Sequence, residues 1–250
     1  YYPAVWQQGM TAALVCGELR RDGEQVAQRG LRLAGGLARM GIEDGDVIAV
    51  MLRNGPAFID AILSCQTAGC FYCPINWHFK GDEVAYLLND SAAKVLIVEA
   101  DLLATLDGAI PAGVQVLVVG AGAEDARDYE GWLAQQAPYD GPERTPRAHM
   151  AYTSGTTGFP KGATLSHYNI LNNGYMVGES LGLSEQDRMV IPVPLYHCFG
   201  MVMGNLGCMT HGSTMIYPGP AFEPLSTLQA VAEERATVLY GVPTMFIAEL

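Results

Sequence analysis

Residues 149–162 read HMAYTSGTTGFPKG, an apolar strand-like run followed at once by a loop of glycines, hydroxyl side chains and one lysine. Glycines at 155, 158 and 162 allow backbone conformations and close approaches that a side chain would prevent. Hydroxyls beside exposed backbone N–H groups, together with one ammonium, form the kind of donor cluster that binds a polyphosphate. The spacing fits neither a Walker A loop nor the GxGxxG fingerprint of a dinucleotide site. The bland alternative is a Ser/Thr/Gly-rich surface loop that binds nothing.

Apolar runs on both sides of this loop alternate between strand and helix patterns. Strands are predicted at 46–52, 71–75, 94–99, 114–119, 149–153, 189–193, 214–217 and 237–240, and helices at 31–40, 57–68, 82–89, 128–136, 166–181, 224–234 and 244–250. Such alternation predicts an α/β fold with parallel-type sheets layered with helices. Ligands in these folds bind beyond the carboxyl ends of strands, which is where the glycine loop follows residue 153.

Composition excludes several classes of function. The 250 residues carry a net charge of −12 and no basic run longer than Arg20-Arg21, so nucleic acid is not an expected partner. No run of 18 apolar residues predicts a transmembrane segment, and the start has no signal-peptide pattern. Because the chain does not begin with Met, its true amino terminus is expected to be missing. Residues 1–250 are expected to form part of one larger domain, with a subdomain boundary in the polar, proline-rich stretch near 138–148.

Six cysteines raise the question of a metal site. Cys65, Cys70 and Cys73 have the C-x4-C-x2-C spacing of a plant-type [2Fe–2S] centre, but the next cysteine, Cys198, lies far along the chain. Buried reduced thiols are therefore favoured, which fits a reducing, cytoplasmic location. The histidines show no zinc-site spacing, so no metal site is predicted.

Further stretches accompany the loop in a fixed order. SHYN at 166–169, PLYHCFG at 194–200 and YGVPT at 240–244 follow it, while residues 45–54 and 68–76 precede it. With these segments the chain resembles the adenylate-forming (AMP-binding) superfamily, in its acyl-CoA synthetase or fatty-acid–CoA ligase branch, over almost its whole length. The resemblance implies the fold of the large amino-terminal domain of those enzymes, truncated. It also implies an ATP-dependent acid–CoA ligase that forms an acyl-adenylate, with ATP, Mg²⁺ and coenzyme A taking part.

The resemblance also implies roles for individual positions. His197 matches the family's residue near the acyl carboxylate and adenylate, and is the expected catalytic residue; taken alone it would be a structural histidine. Tyr196, Met201 and Gly241 are expected to bind the acid. For Met201 the alternatives of an acyl-tunnel wall and an ordinary core helix stay open. The expected β- and γ-phosphate site comprises Thr153, Ser154, Gly155, Thr156, Thr157, Gly158 and Lys161.

The substrate class and completeness of the enzyme are also implied by comparison with the family. PLYHCFG lacks the Asp with which amino-acid-activating relatives pair a substrate ammonium, so an uncharged acid is expected. The sequence of residues 194–250 resembles medium- to long-chain fatty-acyl-CoA synthetases. The half before residue 153 resembles a more general group of acid–CoA ligases, so an aryl acid remains an alternative substrate. The main Mg²⁺ ligand, the ribose-binding Asp and the carboxy-terminal domain with its catalytic lysine have no counterpart in this sequence. An amino-terminal fragment is therefore expected, with a non-catalytic nucleotide- or acyl-binding module or a structural remnant as alternatives and the oligomeric state open.

Overall fold

The computed structural model describes residues 13–106, 108–120, 127–153 and 160–250. The chain forms two compact units. The first comprises Tyr1–Ala27, Arg53–Pro56 and Tyr168–Leu250, and the second comprises Gln28–Leu52 and Ala57–His167. The predicted α/β architecture is confirmed, because each unit has its own mainly parallel sheet.

Helices and strands alternate along the chain as the apolar pattern predicts. Up to residue 165 the elements are β1 (Leu14–Cys16), β2 (Leu19–Arg21), α1 (Gly23–Arg39), β3 (Val47–Met51), α2 (Pro56–Ala68), β4 (Phe71–Pro74), α3 (Gly81–Asp90), β5 (Ala93–Glu99), α4 (Ala100–Leu103), β6 (Gln115–Val119), α5 (Tyr129–Ala134), β7 (His149–Thr153) and β8 (Lys161–Leu165). They continue as α6 (His167–Leu181), β9 (Arg188–Val190), a π-helix (Phe199–Leu206), α7 (Gly207–His211), β10 (Thr214–Tyr217), α8 (Pro224–Glu233), β11 (Val238–Leu239) and α9 (Pro243–Glu249).

The sheet of the second unit has the strand order β6-β5-β3-β4-β7-β8. Its neighbours run parallel except for β7 and β8, which pair antiparallel at the edge. Every residue of β3 is buried, as expected for a central parallel strand covered on both faces. One apolar cluster joins β3 and β5 to α3 through Ala49, Leu96 and Leu87. The glycine loop connects β7 to β8, the two strands at this edge of the sheet.

The sheet of the first unit has the order β11-β9-β10-β1-β2. Its four strands from β11 to β1 are parallel, and β2 turns back antiparallel on β1. Val15, Val190 and Ile216 form its apolar centre, against which side chains of α8 pack. The segment 191–200, which contains PLYHCFG, leaves this sheet directly after β9.

The polar, proline-rich stretch 138–148, where a subdomain boundary is predicted, lies within the second unit. The proline-rich stretch is held against α1, where the backbone N–H of Tyr139 donates to the carbonyl of Leu31 (2.9 Å) and Arg39 donates to the carbonyl of Ala137 (2.8 Å). Proline content marked an irregular segment, but these long-range hydrogen bonds make it part of a packed unit.

Strands β1, β2 and β8 also escaped the sequence pattern. The first two have three residues each, and the five residues of β8 (KGATL) are exposed except for half-buried Leu165. Neither apolar alternation nor a buried run distinguishes such segments from loops. Among the described residues, no helix combines the length and apolar character needed to cross a membrane.

Candidate functional site

The two described ends of the glycine loop lie opposite each other. Thr153 ends β7 and Lys161 begins β8, and the two residues are antiparallel partners in the hairpin. Both are exposed, so the Thr153 hydroxyl and the Lys161 ammonium are accessible to a ligand. The predicted residues Ser154, Gly155, Thr156, Thr157 and Gly158 lie outside the described residues.

The start of β7 is buried and uncharged. His149 is 1% exposed and stacks on Tyr72, with ring centroids 4.8 Å apart. Neither ring nitrogen of His149 has a hydrogen-bond partner among the described residues. Burial lowers the pKa of His149 from 6.5 to about 4, so the ring is neutral at physiological pH. His149 thus anchors the strand as an apolar side chain would.

His197, the expected catalytic residue, lies in the first unit on an exposed turn. Its backbone N–H donates to the carbonyl of Pro194 (3.2 Å), and its own carbonyl accepts from Met201 (3.0 Å) as the following helix begins. The N–H of Phe199 donates to Nδ1 of His197 (3.2 Å). Because Nδ1 accepts, the hydrogen-bond pattern assigns the proton of the neutral ring to Nε2, which leaves an N–H donor on an exposed side chain.

The turn that carries His197 is held by a side chain from a distant part of the sequence. The amide of buried Asn54 donates from Nδ2 to the carbonyl of Val193 (2.9 Å) and accepts at Oδ1 from the N–H of Leu195 (2.9 Å). The Asn54 amide thus bonds the backbone on both sides of Pro194, as a neighbouring strand would. Gly200 completes the packing, since a Cβ there would lie 2.5 Å from the carbonyl oxygen of Pro194.

The helix after His197 opens as a π-helix over Phe199–Leu206, a rare conformation that is frequent at functional sites. Met201 on this helix is fully buried, which is what the core-helix alternative expects. Phe199 packs on Tyr240 with ring centroids 5.2 Å apart, and the Tyr240 hydroxyl donates to the carbonyl of Met203 (3.1 Å). These contacts bring the segments that follow His197 and precede Gly241 together.

Tyr196 and Gly241 lie near the surface of the same unit. Tyr196 is half-buried, and burial raises the pKa of its phenol, which therefore stays protonated. Gly241 is half-buried beneath Phe246, whose Cζ would lie 3.0 Å from a Cβ at that position. The structure thus groups Tyr196, His197, Met201 and Gly241 in the first unit, and Thr153 and Lys161 in the second.

The cysteine spacing does not build a metal centre. Cys65 lies in α2 and Cys73 in β4, and both are buried, as is Cys70 between them. Burial raises the pKa values of Cys70 and Cys73 to about 12, which favours thiols over the thiolates that a cluster needs. Among the described residues, no three His, Cys, Asp or Glu side chains form a group that could hold a metal ion.

The sequence pattern does not identify Asn54 as the residue that holds the turn before His197. Nothing near it in the sequence indicates that its partners lie at residues 193 and 195. A signal was present nonetheless: Asn54 lies two residues after the wholly apolar run Val47–Leu52, where a polar side chain needs partners if it is buried.

Comparison with known proteins shows the family to which the chain belongs. Residues 4–250 match the family model described as "AMP-binding enzyme". The chain is 36% identical over 225 residues to the feruloyl-CoA synthase of Amycolatopsis sp, which covers 90% of this chain and 44% of that protein. It is 31% identical over 276 aligned residues to the mitochondrial medium-chain acyl-CoA ligase ACSF2 of Pongo abelii, covering 94% and 43% respectively.

A solved structure shows the same fold. The long-chain-fatty-acid-CoA ligase FadD1 from Archaeoglobus fulgidus superposes with a TM-score of 0.85 at 23% identity, covering 99% of this chain and 52% of that one. At this identity the likeness concerns the fold alone. The chain spans about half the length of the proteins that it matches.

Proposed function

Since the chain belongs to the AMP-binding enzyme family, we propose that it supplies the pyrophosphate- and acid-binding parts of an ATP-dependent acid–CoA ligase. The observation that carries this proposal is the antiparallel pairing of Thr153 with Lys161 at the two ends of the glycine loop. The pairing sets a hydroxyl and an ammonium side by side at the exposed end of a sheet, as a polyphosphate site requires.

The proposed reaction has two steps. An oxygen of the substrate carboxylate attacks the α-phosphorus of ATP, so that a C–O–P linkage forms while the bond from the α-phosphorus to the bridging β-oxygen breaks. Pyrophosphate leaves with the electron pair, and Lys161 offsets the negative charge that collects on it. The thiol of coenzyme A then attacks the acyl carbon, and AMP leaves. The protein contributes mainly position and charge.

His197 is proposed to act on the acid. An exposed Nε2–H donor can bind one carboxylate oxygen before attack and the acyl carbonyl oxygen when the thiol adds to the adenylate. Because the donor is already oriented by the Phe199 N–H on the other ring nitrogen, it needs no rearrangement as charge develops.

The proposed substrate is an uncharged acid, with a medium- to long-chain fatty acid as first choice. PLYHCFG offers no carboxylate for a substrate ammonium, and the π-helix behind it is apolar and Met-rich. An aryl acid is the second candidate, favoured by the 36% identity to a protein named feruloyl-CoA synthase. A role of Met201 and Gly241 in the acid pocket belongs to this proposal, as does a cytoplasmic location, in keeping with the six free cysteines.

Magnesium is proposed to arrive with ATP. The Thr153 hydroxyl and the hydroxyl-rich loop fit phosphate oxygens, whereas no metal-binding group occurs among the described residues. Mg²⁺ commonly keeps several waters and takes substrate phosphates as ligands, so few protein ligands are required.

Acid-dependent exchange of labelled pyrophosphate into ATP tests the proposed function. The protein is the product of the complete gene, assayed with a panel of fatty and aromatic acids. We expect exchange with at least one uncharged acid, and a loss of about 100-fold in Lys161→Met because one charged donor to the leaving group is gone. Lys94→Met, at an exposed lysine on β5, is the matched control and is expected to leave exchange unchanged.

Binding without turnover would contradict this proposal. If the wild-type protein binds ATP or acid but exchanges no pyrophosphate with any acid, the non-catalytic binding module is the correct alternative. The 250-residue chain, assayed beside the complete product, shows how much of the chemistry its own residues support.

A further inference from the structure

Two hydrogen bonds tie both ends of the glycine loop to the single helix α3. The Tyr152 hydroxyl donates to Oδ2 of Asp90 (2.7 Å), and the Tyr86 hydroxyl donates to the carbonyl of Pro160 (3.1 Å). Tyr152 directly precedes Thr153, and Pro160 directly precedes Lys161. Each described phosphate-site residue therefore has a neighbour fixed to α3.

The two anchors lie on one face of a firmly seated helix. Positions 86 and 90 are four residues apart, which places their side chains one above the other on α3. Val84 and Leu87 of this helix are buried in the apolar cluster of β3 and β5, against which the Tyr86 side chain also packs. At its start the N–H of Lys80 donates to the side chain of Glu83 (2.9 Å), as in a capping box. Burial and capping therefore fix the position of α3, and with it the positions of Tyr86 and Asp90.

Gly162 makes room for the first anchor. Tyr152 and Gly162 are cross-strand partners in the β7–β8 hairpin, and a Cβ at position 162 would lie 3.1 Å from Cζ of Tyr152. The missing side chain lets the Tyr152 ring lie over the neighbouring strand. Burial, and then the hydrogen bond to Asp90, raise the pKa of Tyr152, so its hydroxyl remains a donor.

Asp90 occupies a position that helix formation disfavours. It is the last residue of α3, where the helix dipole is negative, and the last turn contains no basic residue. Its carboxylate does not cap the helix, since Ser91 is the C-cap. A carboxylate at this end opposes helix stability, so the contact with Tyr152 gives it a role that the helix itself does not.

We propose that Tyr86 and Asp90 are positioning residues of the polyphosphate site. By holding Pro160 and Tyr152, they set the separation and direction in which Lys161 and Thr153 meet the phosphates. The identity of the ligand rests on the proposed function, whereas the anchoring of the hairpin does not. This role concerns residues 81–90, which the family motifs in the sequence did not single out.

The kinetic test uses Tyr86→Phe, Tyr152→Phe and Asp90→Ala in the complete gene product, each of which removes one anchor. We expect KM for ATP to rise about fivefold per anchor, the size of effect that one hydrogen bond has on binding. KM for the acid and the melting temperature should stay within the range of the control. Asp90→Asn keeps an acceptor and should restore most of the ATP affinity.

Two comparisons separate positioning from general damage. Tyr139→Phe removes a hydroxyl that likewise donates to a proline carbonyl, that of Pro142 (3.0 Å), and serves as the matched control. Tyr152→Phe and Asp90→Ala break the same bond, so the double variant should match either single variant. Asp90→Ala also removes the unfavourable charge at the end of α3, so it should lower ATP affinity without lowering the melting temperature.

Amide hydrogen exchange of the paired residues Ala151 and Ala163 tests the anchoring without any ligand. Faster exchange in the three anchor variants than in Tyr139→Phe is expected. Unchanged exchange overturns the inference, and so does unchanged KM for ATP in an active enzyme. A wild-type protein without acid-dependent pyrophosphate exchange refutes the proposed function alone, and hydrogen exchange then decides whether α3 anchors the hairpin.

Discussion

His197 and His149 carry the same side chain in opposite surroundings. His197 is exposed on a turn, with Nδ1 accepting a backbone N–H, whereas His149 is buried against Tyr72 with neither nitrogen bonded among the described residues. The first can offer a proton donor to a substrate, and the second can only pack. The two histidines differ in burial and in hydrogen-bond partners, although each lies in a segment that the sequence analysis singled out.

Replacing His197 should impair catalysis and leave stability unchanged. We expect His197→Ala to slow acyl-adenylate formation about 100-fold, the usual effect of losing one oriented donor to a reacting oxygen. His78→Ala, at another exposed histidine, is the control and should keep the wild-type rate. Single-turnover adenylate formation measures both, and equal rates in the two variants would remove His197 from the mechanism.

His149 should make stability depend on pH. Its pKa is about 4 in the folded chain and 6.5 without burial, so between these values the unfolded chain binds more protons. Its contribution is complete above pH 6.5 and is lost as pH falls toward 4, by roughly 3 kcal/mol in all. Urea denaturation at pH 7.5 and pH 4.5 should show a smaller loss in His149→Phe than in wild type. Equal losses would mean that His149 does not titrate in this way.

At the scale of elements, single polar side chains join segments that are distant in sequence. Asn54 bonds the turn before His197, and Asp60 of α2 bonds both Arg29 of α1 and Tyr129 of α5. Both groups are buried, so each lost partner would leave unsatisfied atoms. Such residues set the relative positions of elements that the apolar pattern alone leaves free.

Asn54→Ala should destabilise the first unit and reduce activity together. It leaves the carbonyl of Val193 and the N–H of Leu195 without their side-chain partner, which we expect to cost about 2 kcal/mol. Asn89→Ala, which removes an exposed amide bonded within α3, should change stability by less than about 0.5 kcal/mol. Denaturant titration measures the difference; a cost no larger than that of Asn89→Ala would contradict the assigned role.

Replacing Asp60, which bonds Arg29 and Tyr129, should destabilise the second unit more than breaking an exposed ion pair. Asp60 is 1% exposed, and it accepts from Nε of Arg29 (2.9 Å) and from the Tyr129 hydroxyl (3.0 Å). Asp60→Ala removes the buried carboxylate from the half-buried Arg29 guanidinium, which keeps its exposed pair with Glu130, at a cost of about 3 kcal/mol. Asp44→Asn breaks an exposed pair with Arg147 and should have little measurable effect. Similar melting temperatures for the two variants would contradict this ranking.

For the molecule as a whole, apolar side chains remain exposed on α8 and α9. Leu225 is 62% and Ile247 is 70% exposed, beside partly exposed Leu228 and Phe246. Exposed apolar area of this kind binds apolar dyes and promotes association. The surface does not contradict an enzyme, because each unit has its own buried apolar cluster.

Leu225→Lys combined with Ile247→Lys should reduce dye binding and self-association of the 250-residue chain. Gln229→Lys with Thr244→Lys adds the same two charges to exposed polar positions on the same helices, and so separates the effect of charge from that of apolar area. ANS fluorescence and light scattering at rising concentration measure the outcome. A decrease of equal size in both double variants would assign the effect to net charge.

The sequence by itself determined the features that depend on local patterns of apolar and polar residues. Apolar periodicity predicted the alternating elements, β7 and β10 to the residue. The phosphate site that the loop composition indicates after β7 stays a prediction. Tertiary structure alone decided that KGATL pairs with β7, that residues 138–148 pack within a unit, that Asn54 holds the turn before His197, and that α3 holds both ends of the loop. The physical reason is that periodicity reflects burial of each element on its own, whereas these outcomes depend on hydrogen bonds between different segments of the chain.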